Sequence, residues 1–168
     1  MPREVEKVRT VNQLGAWDFE SRFLGACEPV LVPGQASRWP ALERWTKGYL
    51  REHAGDLEVP YRRTALNVAE VNADRVHRGF SSLSQVLDAC EEDSEEETYV
   101  PGMALKAVPK LFDDIIRPGF LVNQALRYVS LFLGRNARCL GRMHPFSQAV
   151  LTQVWGYKDV ILYSPRDL

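Results

Sequence analysis

Histidine is scarce in this chain: His53, His77 and His144 are its whole supply in 168 residues. No HExxH or CxxC pattern occurs, so a zinc site has little to draw on. Cysteine is equally sparse. Cys27, Cys90 and Cys139 are odd in number and widely spaced, which builds neither a disulfide framework nor a metal knuckle. They read as reduced thiols, two of them small core fillers. No apolar run approaches the ~20 residues that span a bilayer. The opening Met-Pro-Arg-Glu-Val-Glu-Lys has no apolar stretch that could serve as a secretion signal. An excess of charge is missing too: 21 basic residues face 22 acidic ones, and a net charge of -1 leaves no broad footprint for nucleic acid. Glycine-rich phosphate loops are absent, with Pro33-Gly34 and Pro101-Gly102 reading as turns. Ser147, His144 and Asp159 could supply a hydrolytic triad, but no nucleophile-elbow glycine pattern accompanies them. These absences point to a cytoplasmic protein with no nucleic-acid or membrane partner.

What is present is ordinary for a globular domain, 45% hydrophobic and 26% charged. The length suits one domain with a real core, and no repeat or low-complexity linker divides it. Residues 1–168 therefore read as a single α+β domain, helical and mixed first, strand-rich at the end. Val5–Gly25 carries scattered apolar residues and predicts helical or irregular cover. Glu28–Pro33 is a short strand bounded by prolines, followed by a turn at Gly34. Ala41–His53 predicts one amphipathic helix, with Leu42, Trp45, Tyr49 and Leu50 on one face and Gly55 as its stop. Leu57–Tyr61 alternates as a strand. Ser82 and Gln85 have capping-box spacing, so a helix should begin there and bury Leu83, Val86 and Leu87.

Glu91–Glu97 holds six acids in seven residues and predicts a solvated loop. Val108–Ile116 reads as a short helix ended by Pro118 and Gly119. Arg127–Leu133, Ala149–Trp155 and Asp159–Tyr163 read as strands. His53 and His77 read as exposed polar residues. Arg135, Arg138 and Arg142 form a small basic cluster, a solvated loop or a receiver for an anion.

Taken in order, several segments resemble a known family. Pro29-Val-Leu-Val-Pro-Gly34, Trp39-Pro-Ala41, Trp45-Thr46 and Tyr49-Leu50 look like the entry segment of Jumonji C, cupin-like proteins. Tyr99-Val100 and Val108-Pro-Lys-Leu-Phe-Asp-Asp-Ile115 with Pro118 resemble its middle section. Leu131-Phe-Leu-Gly134 and Gln153-Val-Trp-Gly-Tyr-Lys-Asp-Val-Ile-Leu-Tyr-Ser-Pro165 resemble its first barrel strands. The likeness is nearest to the branch of the asparaginyl hydroxylase that acts on hypoxia-inducible factor.

The resemblance implies a double-stranded β-helix, a cupin barrel. Such a barrel closes with about eight strands, and the chain supplies its first few before Leu168, which predicts a domain lacking the C-terminal half of the barrel. The resemblance also implies Fe(II) held by His-x-Asp/Glu plus a distal His, with 2-oxoglutarate as cosubstrate. Alignment on Gly134 and Gln153 puts the first ligand at Met143 and the carboxylate at Pro145. A thioether is a poor donor for hard Fe(II), and proline offers none. His144 lies between them, where strand alternation turns it the other way. No metal is therefore expected, with His144 the one weak candidate. The cosubstrate side survives better. Lys158 matches the lysine that bonds the distal carboxylate of 2-oxoglutarate, and Tyr99 matches a contributing tyrosine. Leu140 stands where a companion hydroxyl is usual.

Two functions stay open at this level. One is an iron-free, degenerate Jumonji C-like protein acting as an accessory or binding subunit, its barrel edge at Asp159–Tyr163 completed by another copy or a second subunit. The other is an Fe(II)/2-oxoglutarate-dependent hydroxylase, or a repurposed enzyme on that fold, whose site a partner completes.

Overall fold

The computed structural model describes residues 6–65, 76–92, 96–135 and 148–162. Met143, His144, Pro145, Leu140, Cys139, Arg138, Arg142 and Ser147 lie outside the described residues. The architecture is a mixed α+β arrangement with two sheets and short helices, compatible with a cupin domain.

A parallel pair of two-residue strands, β1 (Arg9–Thr10) and β2 (Val30–Leu31), opens the chain. Between them α1 (Ala16–Asp18) runs into a π-helical turn, Phe19–Leu24, the cover expected there. Phe19 and Phe23 bury against Phe120 and Leu121 as a small satellite core, the Phe19 and Phe120 rings tilted at 5.0 Å. The turn after β2 places Gly34 at φ +74°, a conformation that favours glycine.

The helix expected over Ala41–His53 is two helices, α2 (Ala41–Arg44) and α3 (Lys47–Ala54). The chain breaks at Trp45 because its indole is drawn inward, and Thr46 restarts the helix by accepting from the Tyr49 amide at 3.1 Å. The break resets the helical phase. Trp45 and Leu50 are buried, but Leu42 turns outward at 39% exposure. Gly55 ends α3, and a Cβ there would stand 2.3 Å from the Arg51 carbonyl oxygen.

The main sheet has the order β4-β3-β5-β6, all neighbours antiparallel. Its strands are β3 (Glu58–Ala65), β4 (His77–Ser82), β5 (Glu96–Ala104) and β6 (Ser130–Gly134). Helix α4 (Leu83–Glu91) follows β4 directly. Its cap is half the expected box. Ser82 Oγ accepts from the Gln85 amide at 3.3 Å, while Gln85 Oε1 accepts from Ser81 Oγ. Leu83, Val86 and Leu87 are buried as anticipated. With Leu50, Val59, Val100, Met103 and Leu111 they form the main core, so one sheet face packs on the helices.

Strand β5 corrects two expectations. The acidic run is solvated at Glu91, Glu92 and Glu96, but Glu97 sits in a strand flanked on both sides and is only 6% exposed. Pro101-Gly102 is no turn between elements. It is an irregularity inside β5, where the register to β6 shifts between Val100 and Met103 and Gly102 has φ +144°. A bulge is where a sheet tolerates a residue without an N–H.

Helix α5 (Pro109–Phe112) stops short of the expected Ile116, because Asp114 is pulled out of helical continuation toward α2 and α3. The strands expected at Ala149–Trp155 and Asp159–Tyr163 are absent from the described residues 148–162, which pair with no strand. Alternation supplies strand propensity, but a ladder needs a partner. Cys27 is exposed, and Cys90 is half-buried, its thiol pushed up by burial. Among the described residues no helix is long and apolar enough to cross a membrane.

Candidate functional site

The face of the sheet away from the helices carries the candidate site. Strand alternation puts Glu97 and Tyr99 on that face of β5, while Val100 joins the helix-packed core. Register then decides what meets Tyr99. Arg62 of β3 is directly opposite on one side and Gly134 of β6 on the other. Because glycine leaves that position empty, Phe132 fills it, stacking on Tyr99 at 6.5 Å and 27°. Arg62 Cζ lies 4.6 Å from the Tyr99 ring centroid. Lys158, from the last described segment, brings Nζ to 5.9 Å from both the Tyr99 and Phe132 rings. Tyr99 itself is 6% exposed.

The structure thus brings together the two residues named for 2-oxoglutarate, Lys158 and Tyr99. It adds Arg62, which the sequence did not single out, because its place beside Tyr99 depends on a strand, β5, that composition disguised. The two cations differ. A guanidinium at 4.6 Å gains roughly 1 kcal/mol or more from the ring, whereas an ammonium at the outer limit of such contacts gains less. Lys158 is exposed and keeps most of its capacity to donate to an incoming carboxylate. Arg62 and Lys158 over a tyrosine form a surface able to grip an anion, with Glu97 on the same face limiting its net charge.

Three histidines are the imidazole donors that this chain could offer a metal. None of the three histidines is followed two residues on by Asp or Glu. His53 is half-buried, not exposed as expected, and packs edge-on against Tyr49 at 4.3 Å. His77 stands opposite Arg63 on the other face of the sheet, 6.0 Å from the Tyr61 ring. Neither belongs to the Tyr99 cluster. Arg135 donates to the Glu92 carbonyl at 3.0 Å, so it is tied to the end of α4.

A second polar cluster is saturated. Asp114, 1% exposed, accepts from Arg44 at 2.7 Å, Trp45 Nε1 at 3.1 Å and the Tyr49 hydroxyl at 2.8 Å. Burial pushes its carboxyl up, but those hydrogen bonds and the Arg44 charge outweigh it, and the net direction is down. Burial, then the bond to Asp114, raises the Tyr49 phenol. With three donors on two oxygens, Asp114 has little capacity left for proton transfer. It clamps α2 and α3 to the end of α5; it lies in the family-like Val108–Ile115 segment, but nothing in the sequence marked it as the acceptor for Arg44, Trp45 and Tyr49. A shallow cleft of about 220 Å³ at the end of α3 shares no lining residue with the Tyr99 cluster.

Comparison with known proteins accords with this geometry. A family model described as a cupin-like domain matches residues 16–168. Lysine-specific demethylase 8 of Danio rerio is 27% identical over 156 residues, covering 89% of this chain and 38% of that protein. Arginine-specific demethylase JMJ22 of Arabidopsis thaliana is 34% identical over 53 residues, 32% of this chain and 11% of its own. The chain therefore spans well under half the length of these curated relatives. With the family match running from the first helix onward, the chain belongs to the cupin-like, Jumonji C-type family.

Proposed function

We propose that this chain is a degenerate Jumonji C-like protein without an iron site of its own, acting through association as an accessory or binding subunit. Its donor set supports the first part: Met143 and Pro145 stand where the family places metal ligands. The observation that carries the second is the run of exposed apolar side chains in residues 148–162, with Leu151, Trp155, Ile161 and Leu162 among them. A patch of that kind near β6, an outer strand of the sheet among the described residues, suits burial against another chain. The partner is a second copy or a separate subunit that completes the barrel edge. Native mass spectrometry of the purified chain tests this. Oligomers that dissociate on Trp155→Ser are expected, and a monodisperse monomer at high concentration would retire the reading.

A second reading is favoured by the Tyr99 cluster. Here the chain is the cosubstrate-binding part of an Fe(II)/2-oxoglutarate-dependent hydroxylase whose metal site a partner completes. Lys158 would donate to the distal carboxylate of 2-oxoglutarate, the Tyr99 hydroxyl would assist, and Arg62 would hold the tyrosine ring in place. When bound, iron and 2-oxoglutarate would supply the oxidising chemistry; this chain's residues would bind and orient. Calorimetric titration of 2-oxoglutarate should show binding that Lys158→Ala weakens tenfold or more. Absence of binding, with and without Fe(II), would leave Lys158 and Tyr99 as inherited residues. The finer placement beside the asparaginyl hydroxylase, and a cytoplasmic location, rest on the motif order and the composition alone.

A further inference from the structure

Strand β4 is an outer strand of the main sheet, and among the described residues only β3 pairs with it. Alternate residues of such a strand aim N–H and C=O groups outward, where they can pair with an added chain. The side chains around this edge are selective. Arg78 is exposed and directly opposite Arg62 in the ladder. Like charges in that relation repel. Arg62 is engaged over Tyr99, but Arg78 makes no ion pair among the described residues. Glu58 shares the face yet stands four residues along β3 from Arg62, about 13 Å at strand spacing. Glu97 lies two strands over from Arg78 and two residues along, about 12 Å away. At those separations physiological salt screens most of the attraction. Two residues beyond Arg78, on the same face, Phe80 is 70% exposed opposite Pro60.

We infer that the β4 edge is a docking strand for an extended acidic peptide segment, one with an acidic side chain for Arg78 and an apolar one two residues away for Phe80. Main-chain pairing supplies the attachment, and the Arg78–Phe80 spacing reads the partner. This site is independent of iron and 2-oxoglutarate, and it lies at the opposite edge of the sheet from β6. A peptide satisfies all three features at once, backbone edge, cation and ring. A nucleic acid would use only the cation and the ring.

The test is fluorescence anisotropy on the whole chain with a labelled probe, Thr-Glu-Thr-Leu-Thr-Glu-Thr, and an analogue with Lys in place of both Glu. The acidic probe should bind at least about tenfold tighter, a difference of about 1.4 kcal/mol. Arg78→Glu should reverse the preference, and Arg78→Gln should abolish it, each with a melting temperature no lower than the parent chain's, since both relieve the repulsion from Arg62. Phe80→Ser should weaken both probes, because both keep the leucine, and should leave the preference for the acidic one in place. Equal binding of the two probes, an unaltered preference in Arg78→Glu, or displacement of the peptide by oligothymidine would overturn the inference. Because no step uses Lys158, the Lys158→Ala chain should bind the probe normally. That separates failure here from failure of the 2-oxoglutarate reading.

Discussion

Replacing Asp114 with alanine should cost about 3 kcal/mol of stability. The carboxylate is almost wholly buried and holds three donors from α2, its flanking Trp45, and α3. Its removal strands the buried Trp45 indole N–H, at about 1–3 kcal/mol, and the half-buried Tyr49 hydroxyl, at about 1 kcal/mol. Arg44 adds least, because its half-exposed guanidinium can turn to water. Relief of the buried charge offsets part of the sum. For a domain of this size each kcal/mol moves the midpoint by roughly 2–4 °C, so a fall of about 6–12 °C is expected. The pH dependence carries a sign. A carboxyl whose folded pKa is depressed contributes stability that is complete above its unfolded value, about 3.9, and lost as pH falls through the folded value. Asp114→Asn should therefore remove part of the steepness of acid unfolding below about pH 4. Circular-dichroism melts across pH 2.5–7 would decide it. A change under ~0.5 kcal/mol in Asp114→Ala, or an unaltered acid limb in Asp114→Asn, would refute the clamp.

Other outcomes follow from single contacts. Gly55→Ala would push a Cβ to 2.3 Å from a backbone oxygen and 2.4 Å from Ser84 Oγ; a loss of about 2 kcal/mol is expected in urea unfolding, typical of overpacking. Ser82→Ala removes the cap of α4 and should cost about 1 kcal/mol, whereas Ser82→Asp should restore it in the same assay. Leu83→Ala empties a fully buried core position and should cost roughly 2–5 kcal/mol. Tyr99→Leu should release Arg62 and Lys158 from their shared ring, visible as loss of upfield-shifted side-chain resonances in NMR spectra.

Much of the local structure could be read without coordinates because its causes are local. The Ser82 cap, the Gly55 stop, the strand within Glu28–Pro33 (β2, Val30–Leu31) and the buried stripe of α4 each depend on residues within a few positions of one another. Where the reading failed, the cause lay far along the chain. Composition hid β5, since an acidic start and a Pro-Gly pair resemble a loop until β3 and β6 flank them. The break at Trp45 follows from an acceptor, Asp114, 69 residues on.

Residues 149–155 and 159–163 have the alternation of strands, yet residues 148–162 pair with no strand among the described residues, because hydrogen-bonded ladders are made between segments. The site divides the same way. Lys158 and Tyr99 could be named from family likeness, but their convergence, and the entry of Arg62 beside them, required the register of β3 against β5. Sequence by itself determined the family likeness and the caps and stops, since those depend on residue identity and short-range spacing. Tertiary structure alone decided which charges face Tyr99 and which strands lie outermost among the described residues, because register and burial are properties of segments brought together from far apart.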